Sequence, residues 1–138
     1  MQREYPDRRV ILIAERDQNV RALQGFFLNR AGLGVEFADD GQAALEYARR
    51  TRPALIVTEI LIPKLDGLTL CRRLRDDPVT RDIPVVVFSI LAAAARATEA
   101  GAEAFLRKPF VESVFVATVL DAIAAKPTGI TEQQWATQ

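Results

Sequence analysis

Five short runs of apolar, strand-forming residues alternate with five segments of helical pattern, and this alternation is the strongest constraint on the fold. The first run, residues 10–14, is uninterrupted, which is typical of a strand buried on both faces of a sheet. The predicted strands are residues 10–14, 35–38, 54–58, 83–88 and 104–106. Strict alternation of strands and helices implies right-handed crossovers between parallel strands. The sequence therefore predicts a doubly wound α/β sheet with helices on both faces.

The segments between these runs contain residues that start helices. Asp17 and Asp66 each precede an apolar stripe at helical spacing, so both are predicted to cap helices rather than to bind a ligand. The alanine-rich run 91–100 predicts a fourth helix of that extent, because alanine has the highest helix propensity.

The chain is long enough for one domain with a single core: it has 138 residues, 49% of them hydrophobic. We expect this domain to occupy residues 1–125. Residues 126–138 begin at a Lys-Pro-Thr-Gly break and contain Trp135, so we expect a C-terminal tail or linker stub there. No secretory leader and no bilayer-length apolar run is present, so we expect a cytoplasmic location without membrane contact.

Charge and residue types exclude several classes of function. Lysine plus arginine and aspartate plus glutamate number 18 each, so no net field attracts nucleic acid. The pairs Arg49-Arg50 and Arg72-Arg73 are better explained as solvated helix faces. The absence of histidine excludes a Ser-His-Asp hydrolase and a His-ligated metal site. Any chemistry must therefore use carboxylates, lysine or hydroxyls.

Charged and polar residues stand where four of the predicted strands end. They are Glu15 and Arg16 after the first strand, Glu59 at the end of the third, Ser89 after the fourth and Lys108 after the fifth. In a doubly wound sheet, the carboxyl ends of the central strands face one crevice, where open α/β sheets place their sites. The sequence therefore predicts a functional site at this edge.

This order of acid, acid, hydroxyl and Lys-Pro resembles the receiver domain of response regulators, the phosphoacceptor module of bacterial two-component signalling. The resemblance covers residues 9–125. The matching segments are Ile11-Leu12-Ile13-Ala14-Glu15-Arg16-Asp17, Pro53-Ala54-Leu55-Ile56-Val57-Thr58-Glu59, Pro63-Lys64-Leu65-Asp66-Gly67, Pro84-Val85-Val86-Val87-Phe88-Ser89 and Lys108-Pro109-Phe110. The family implies a flavodoxin-like, five-stranded parallel sheet of order 2-1-3-4-5 with five helices.

The resemblance also implies a role for each site residue. Glu59 stands at the phosphoacceptor position, and Glu15 and Arg16 stand where the family has two acids. The phosphate-contact and switch positions are occupied by Ser89, Phe105 and Lys108, and Pro109 is the candidate for a cis proline.

Two departures from the family pattern bear on function. Arg16 replaces the acid that binds magnesium directly, so one hard oxygen ligand is lost and a fixed positive charge is added. Glu59 replaces aspartate and carries one more methylene, which moves its carboxylate by about 1.5 Å. A misplacement near 1 Å costs on the order of a hundredfold in rate. We therefore expect a pseudo-receiver, not an enzyme, that binds no magnesium or other cofactor and uses no aspartyl phosphorylation.

Arg16 is predicted to pair with Glu59 or Glu15, because a guanidinium fork suits a carboxylate. Such a pair does electrostatically what magnesium does in relatives. With Glu59 near Ser89 and Lys108, the domain is locked either in an active-like or in an inactive state, and the sequence is compatible with both.

Other functions remain open at this stage. Glu59 is an unusual phosphoacceptor in one alternative, and an engineered phosphomimetic in another, although Arg16 argues against a single engineered change. A flavodoxin-like enzyme has little support, because no Gly-rich phosphate loop follows the first strand. The partner that the resemblance implies is a signalling protein or effector domain, bound through the fourth helix, fifth strand and fifth helix. The resemblance also allows a homodimer through that face.

Overall fold

The computed structural model describes residues 9–125, which form one five-stranded parallel sheet with five helices. In chain order the elements are β1 (Val10–Ala14), α1 (Gln18–Arg30), β2 (Gly34–Ala38), α2 (Gly41–Thr51), β3 (Leu55–Thr58), α3 (Gly67–Asp76), β4 (Val85–Ser89), α4 (Ala94–Glu99), β5 (Ala104–Arg107) and α5 (Glu112–Ala124). The strand order is β2-β1-β3-β4-β5, which confirms the predicted fold. The predicted tail, residues 126–138 with Trp135, lies outside the described residues.

The core consists of two apolar clusters on opposite faces of the sheet. Alternate residues of one strand belong to different clusters, because successive side chains of a strand point to opposite faces. Leu12 of β1 packs in the cluster beneath α2, α3 and α4, whereas Ile11 and Ile13 pack in the cluster beneath α1 and α5. Every residue of β1, β3 and β4 is buried, as uninterrupted apolar runs require.

Aspartates cap the first three helices. Asp17 accepts hydrogen bonds from the backbone of Asn19 and Val20, and Asp40 caps α2 in the same manner. Asp66 accepts from Leu68 and Thr69 at the start of α3. Burial opposes ionisation of Asp66, but the Thr69 backbone N–H and hydroxyl outweigh it and lower the pKa of the carboxyl. Asp17 and Asp66 are thus caps, as predicted.

The fourth helix is shorter than the sequence predicts. It begins at Ala94 rather than residue 91, and its cap residue Ala93 makes no side-chain cap hydrogen bond. The backbone N–H of Leu91 instead donates to Ser89 Oγ at 3.2 Å. The helix propensity of alanine favours a helix over all of residues 91–100, but the first residues of this run belong to the turn after β4. Likewise β4 begins at Val85, after Pro84, which has no N–H to donate.

Two close backbone approaches hold the loop between β3 and α3. The N–H of Gly41 donates to the Pro63 carbonyl at 3.1 Å, and a Cβ at Gly41 would lie 1.8 Å from the Leu65 carbonyl oxygen. A Cβ at Gly67 would lie 2.2 Å from the Glu59 carbonyl oxygen. Only glycine fits at both positions, so the backbone that follows Glu59 has little freedom.

Candidate functional site

Parallel pairing of the central strands places the predicted site residues at one edge of the sheet. Ala14 pairs with Thr58 across β1 and β3, and Ser89 pairs with Arg107 across β4 and β5. The residues that follow these strand ends therefore come together, as expected for a doubly wound sheet.

Lys108 lies between two carboxylates. Its Nζ is 2.9 Å from Glu15 Oε1 and 3.0 Å from Glu59 Oε1. The side chains of Glu15 and Glu59 are buried, with exposed fractions of 2% and 4%, and that of Lys108 is partly buried at 12%. Burial disfavours the charged ammonium, but the hydrogen bonds and charges of the two glutamates outweigh it and raise the pKa of Lys108.

The backbone around Lys108 directs this side chain to the site. The Lys108 N–H donates to the Ser89 carbonyl at 2.9 Å, which continues the pairing of β4 with β5. The Lys108-Pro109 peptide bond is cis, at the position that the resemblance indicated.

Both carboxylate oxygens of Glu59 have partners. Oε1 faces Lys108, while Oε2 accepts from the backbone N–H groups of Ile60 at 2.6 Å and Leu61 at 3.3 Å. The Ser89 hydroxyl also donates to Oε2. Burial alone would raise the pKa of Glu59, but Ser89, Lys108 and the Leu61 N–H together lower it. Glu59 is thus held as an ionised and fully hydrogen-bonded group.

Glu15 completes the cluster from the end of β1. Its Oε2 accepts from the Asp17 backbone N–H at 3.1 Å, and its carbonyl accepts from Arg21 Nε at 2.7 Å. Arg21 also donates to the Ala38 carbonyl, so it ties the end of β1 to the end of β2.

The predicted pairing of Arg16 with Glu59 or Glu15 is wrong. Arg16 is exposed and makes no ion pair with any side chain among residues 9–125. Glu15 pairs with Lys108 and Asp17 caps α1, whereas Arg16, the residue between them, lines a cavity together with Lys108. Lysine, rather than arginine, is the cation that pairs with the two buried glutamates, so one positive charge faces two negative charges.

The Phe105 side chain is apolar, so it takes no part in the hydrogen bonds and ion pairs of the charged cluster and packs on the sheet instead. It is partly buried against the apolar cluster that contains Ala97 and Ala100 of the α4 region. Ser89 is fully buried and links Glu59 to the start of the loop after β4.

A cavity of about 360 Å³ opens above these residues, and its lining includes Glu15, Arg16, Glu59 and Lys108. The side chains that line this cavity do not suit a magnesium ion, because magnesium prefers several oxygen ligands and usually keeps some of its bound water molecules. Both glutamates are engaged by Lys108 and by N–H donors, and Arg16 adds a positive charge at the rim. No group of three or more metal-ligating side chains exists within residues 9–125.

The sequence predicted which residues meet at this edge of the sheet, but it did not predict three sets of contacts. These are the double pairing of Lys108 and the roles of Arg21 and the Ile60 and Leu61 N–H groups. A lysine that follows a strand beside two acid-bearing strand ends is a signal for the first of them. No sequence signal marks the other two.

Comparison with known proteins agrees with the fold. The family model for the response regulator receiver domain matches residues 11–120. The chain is 37% identical over 114 residues to the response regulator PleD of Caulobacter vibrioides and 35% identical over 112 residues to the transcriptional regulatory protein CseB of Streptomyces avermitilis. These matches cover 80% and 79% of this chain but only 25% and 46% of the two relatives.

A solved structure has the same fold. It is the signal receiver domain of a signal transduction histidine kinase from Syntrophus aciditrophicus, with a TM-score of 0.80 and 31% identity. The match covers 88% of this chain and 94% of that one.

Proposed function

The chain belongs to the response regulator receiver family of two-component signalling, and from this premise we propose that it is a pseudo-receiver that signals without aspartyl phosphorylation. The observation that carries the proposal is the closed cluster of Lys108, Glu15 and Glu59, with Ser89 on Glu59. The contacts that the family resemblance assigns to a phosphoryl group are made here by a carboxylate of the protein itself.

The state of Glu59 argues against its use as a nucleophile. A carboxylate that attacks phosphorus needs a free oxygen directed at the incoming group. Here one oxygen faces the Lys108 ammonium and the other accepts from two backbone N–H groups and a hydroxyl. Attack would require breaking these contacts at a buried site.

The lack of suitable metal ligands supports the same proposal. Phosphoryl transfer to a carboxylate uses a divalent cation to offset the charge on the phosphoryl oxygens. Arg16 stands where the family has the metal-binding acid, and both remaining acids are engaged by Lys108 and by backbone N–H donors. We therefore include in the proposal that the domain needs neither magnesium nor another cofactor and has no enzymatic activity.

The partner in this proposal is a signalling protein or an effector domain bound by the α4, β5 and α5 face. The ion pairs of Lys108 fix the start of the loop between β5 and α5, so this face keeps one arrangement that no phosphate changes. None of the helices formed by residues 9–125 has both the length and the apolar character needed to cross a bilayer. The cytoplasmic location stays a prediction.

Phosphorylation with acetyl phosphate tests the proposal directly. The full chain is incubated with acetyl phosphate and magnesium chloride, and phosphoryl addition is measured by intact-protein mass spectrometry. We expect no metal-dependent addition to the wild-type chain. Beryllium fluoride with magnesium should likewise leave its amide NMR spectrum unchanged.

The matched control is the double variant Arg16→Asp, Glu59→Asp, which restores the family residues at both positions. We expect it to gain magnesium-dependent phosphorylation on the introduced aspartate at position 59. Phosphoryl addition at Glu59 of the wild-type chain, dependent on magnesium, would overturn the proposal and favour the alternative of an unusual glutamyl acceptor.

A further inference from the structure

The outer face formed by α1 and α5 contains an open groove. Its volume is about 460 Å³, and it is lined by Phe27, Arg30, Ala31, Glu112, Ser113, Val116, Ala117 and Leu120. The short side chains of Ala31 and Ala117 give the groove room for a bulky group from outside. Leu120 is 42% exposed at this groove and adds to the apolar surface that the groove presents.

A ridge of α1 runs beside the groove. Leu23, Phe26 and Arg30 lie at spacings of three and four residues, so they share one side of the helix. Phe26 is 56% exposed, and the Arg30 guanidinium lies 5.5 Å from the centroid of its ring. Arg30 therefore joins the ridge to the groove. One face thus holds both a protruding aromatic side chain and an open apolar groove.

The same face holds one positive and one negative side chain. Arg30 Nε lies 3.3 Å from Glu112 Oε2, and both side chains are partly exposed. An ion pair in such a position contributes little, because solvent screens it. Replacing this ion pair by an equivalent pair with another molecule therefore costs almost no free energy.

We propose that this face binds the same face of a second copy of the chain in an isologous dimer. In a dimer with a two-fold axis, residue i of one copy contacts residue j of the other and the reverse. Phe26 of each copy fills the groove of the other, and Arg30 of each copy pairs with Glu112 of the other. A single face that carries both members of each complementary pair is suited to a copy of itself.

The choice of this face over the α4 and β5 face rests on exposed apolar surface. Neither α4 nor β5, both among the described residues, exposes a large hydrophobic side chain, whereas α1 exposes Leu23 and Phe26. Helix α5 exposes Leu120 in the groove and Val114 outside it, so the groove uses only part of α5 and leaves α4, β5 and the Val114 side of α5 free for an effector. The inference goes beyond the proposed function and does not depend on it, since the groove shares no lining residue with the Glu59 cavity.

Sedimentation equilibrium of the full chain over a range of concentrations tests the dimer. We expect the mean mass to rise from one chain to two in the wild type. Phe26→Asp should weaken dimerisation by about thirtyfold or more, because it replaces a central aromatic anchor by a charge. The matched control is Val79→Asp, which changes an exposed apolar residue outside this face and should leave dimerisation unchanged. Circular dichroism verifies that both variants are folded.

A mixing experiment separates contacts between copies from the ion pair within one copy. R30E and E112R should each dimerise at least about tenfold more weakly than the wild type. A mixture of the two should form heterodimers, because each charge that faces its like in a homodimer then faces its opposite. The ion pair within each chain stays broken in this mixture, so recovered mass reports only contacts between copies.

Three results would overturn the inference. The first is a wild-type chain that stays monomeric at all concentrations. The second is a dimer that survives Phe26→Asp, which would place the interface on another face. The third is a mixture of R30E and E112R that recovers no heterodimer. None of these measurements involves phosphorylation of Glu59, so the failure of one proposal is distinguishable from the failure of the other.

Discussion

At the scale of single residues, the central feature is a partly buried ammonium between two buried carboxylates. Lys108, Glu15 and Glu59 form this cluster, and removing one partner from such a group leaves an uncompensated charge. The fold keeps these charges paired because β1 and β3, which precede the two glutamates, are adjacent in the sheet, and Lys108 reaches them from the end of β5, across β4. The stability of the protein should therefore respond sharply to changes in this cluster.

Lys108→Met should destabilise the protein by about 3 kcal/mol at pH 7, because both glutamates lose their counter-ion while buried. Urea unfolding monitored by circular dichroism measures this loss. The loss of stability should be smaller at pH 5, because protonation of one glutamate removes the repulsion between the two carboxylates. An equal deficit at both pH values would contradict this explanation.

The carboxylate of Glu59 should also determine how the stability of the protein falls at acidic pH. Its pKa is lowered below the ordinary 4.5, so its contribution is present above pH 4.5 and is lost as pH falls through the lowered value. The pKa of Lys108 is raised above 10.5, so its contribution is present below pH 10.5 and is lost as pH rises through the raised value.

The melting temperature should therefore form a plateau in neutral solution and fall at both ends. Measured against pH, the acid-side fall should be less steep in Glu59→Gln, which has no carboxylate to protonate. An unchanged acid limb in this variant would show that other carboxyl groups determine it.

At the scale of elements, one arginine of α3 joins three segments. Arg75 Nε donates to the Gly101 carbonyl, and its NH1 donates to the carbonyls of Arg81 and Ile83. These contacts connect α3 to the segment before β4 and to the turn after α4. That turn is closely packed, since a Cβ at Gly101 would lie 2.7 Å from the Arg75 side chain.

Arg75→Ala should destabilise the protein by about 2 kcal/mol, because three carbonyl acceptors lose a charged donor. Thermal and urea unfolding measure the change. The matched control is Arg73→Ala on the same helix, since Arg73 is exposed and makes no hydrogen bond or ion pair to residues 9–125. It should stay within about 0.5 kcal/mol of wild type. Equal effects of both variants would contradict the bridging role of Arg75.

At the scale of the whole molecule, charge and association are linked. Lysine plus arginine equals aspartate plus glutamate at 18 each, so little net repulsion opposes the contact of two copies near neutral pH. The α1 and α5 face supplies the apolar surface and the self-complementary charges for that contact.

If two copies bind through this face, the melting temperature should rise with protein concentration, because association stabilises the folded chain by mass action. Differential scanning calorimetry at several concentrations measures this dependence. Phe26→Asp should remove it, whereas Val79→Asp should keep it. A melting temperature that does not change with concentration would contradict the dimer.

Sequence reasoning predicted the order of the strands, the caps Asp17 and Asp66, and the residues that meet at the edge of the sheet. The caps follow from local pattern and the parallel sheet from the alternation of strands and helices, whereas the order of the strands followed from the resemblance to the receiver family. The start of α4 was predicted too early, because the helix propensity of alanine competes with a turn whose hydrogen bond to Ser89 only the folded chain supplies.

By itself, the sequence determined which residues occupy the site and that two of them, Arg16 and Glu59, depart from the receiver pattern. Only the tertiary structure decided which charges pair. Lys108 is 93 residues from Glu15 along the chain, and its reach to both glutamates depends on how β1, β3 and β5 are placed in the sheet. Arg16 is adjacent to Glu15 in sequence yet stays exposed and forms no ion pair with Glu15 or Glu59. Proximity along the chain therefore did not predict the ion pairs, since a side chain's partners depend on backbone direction in three dimensions.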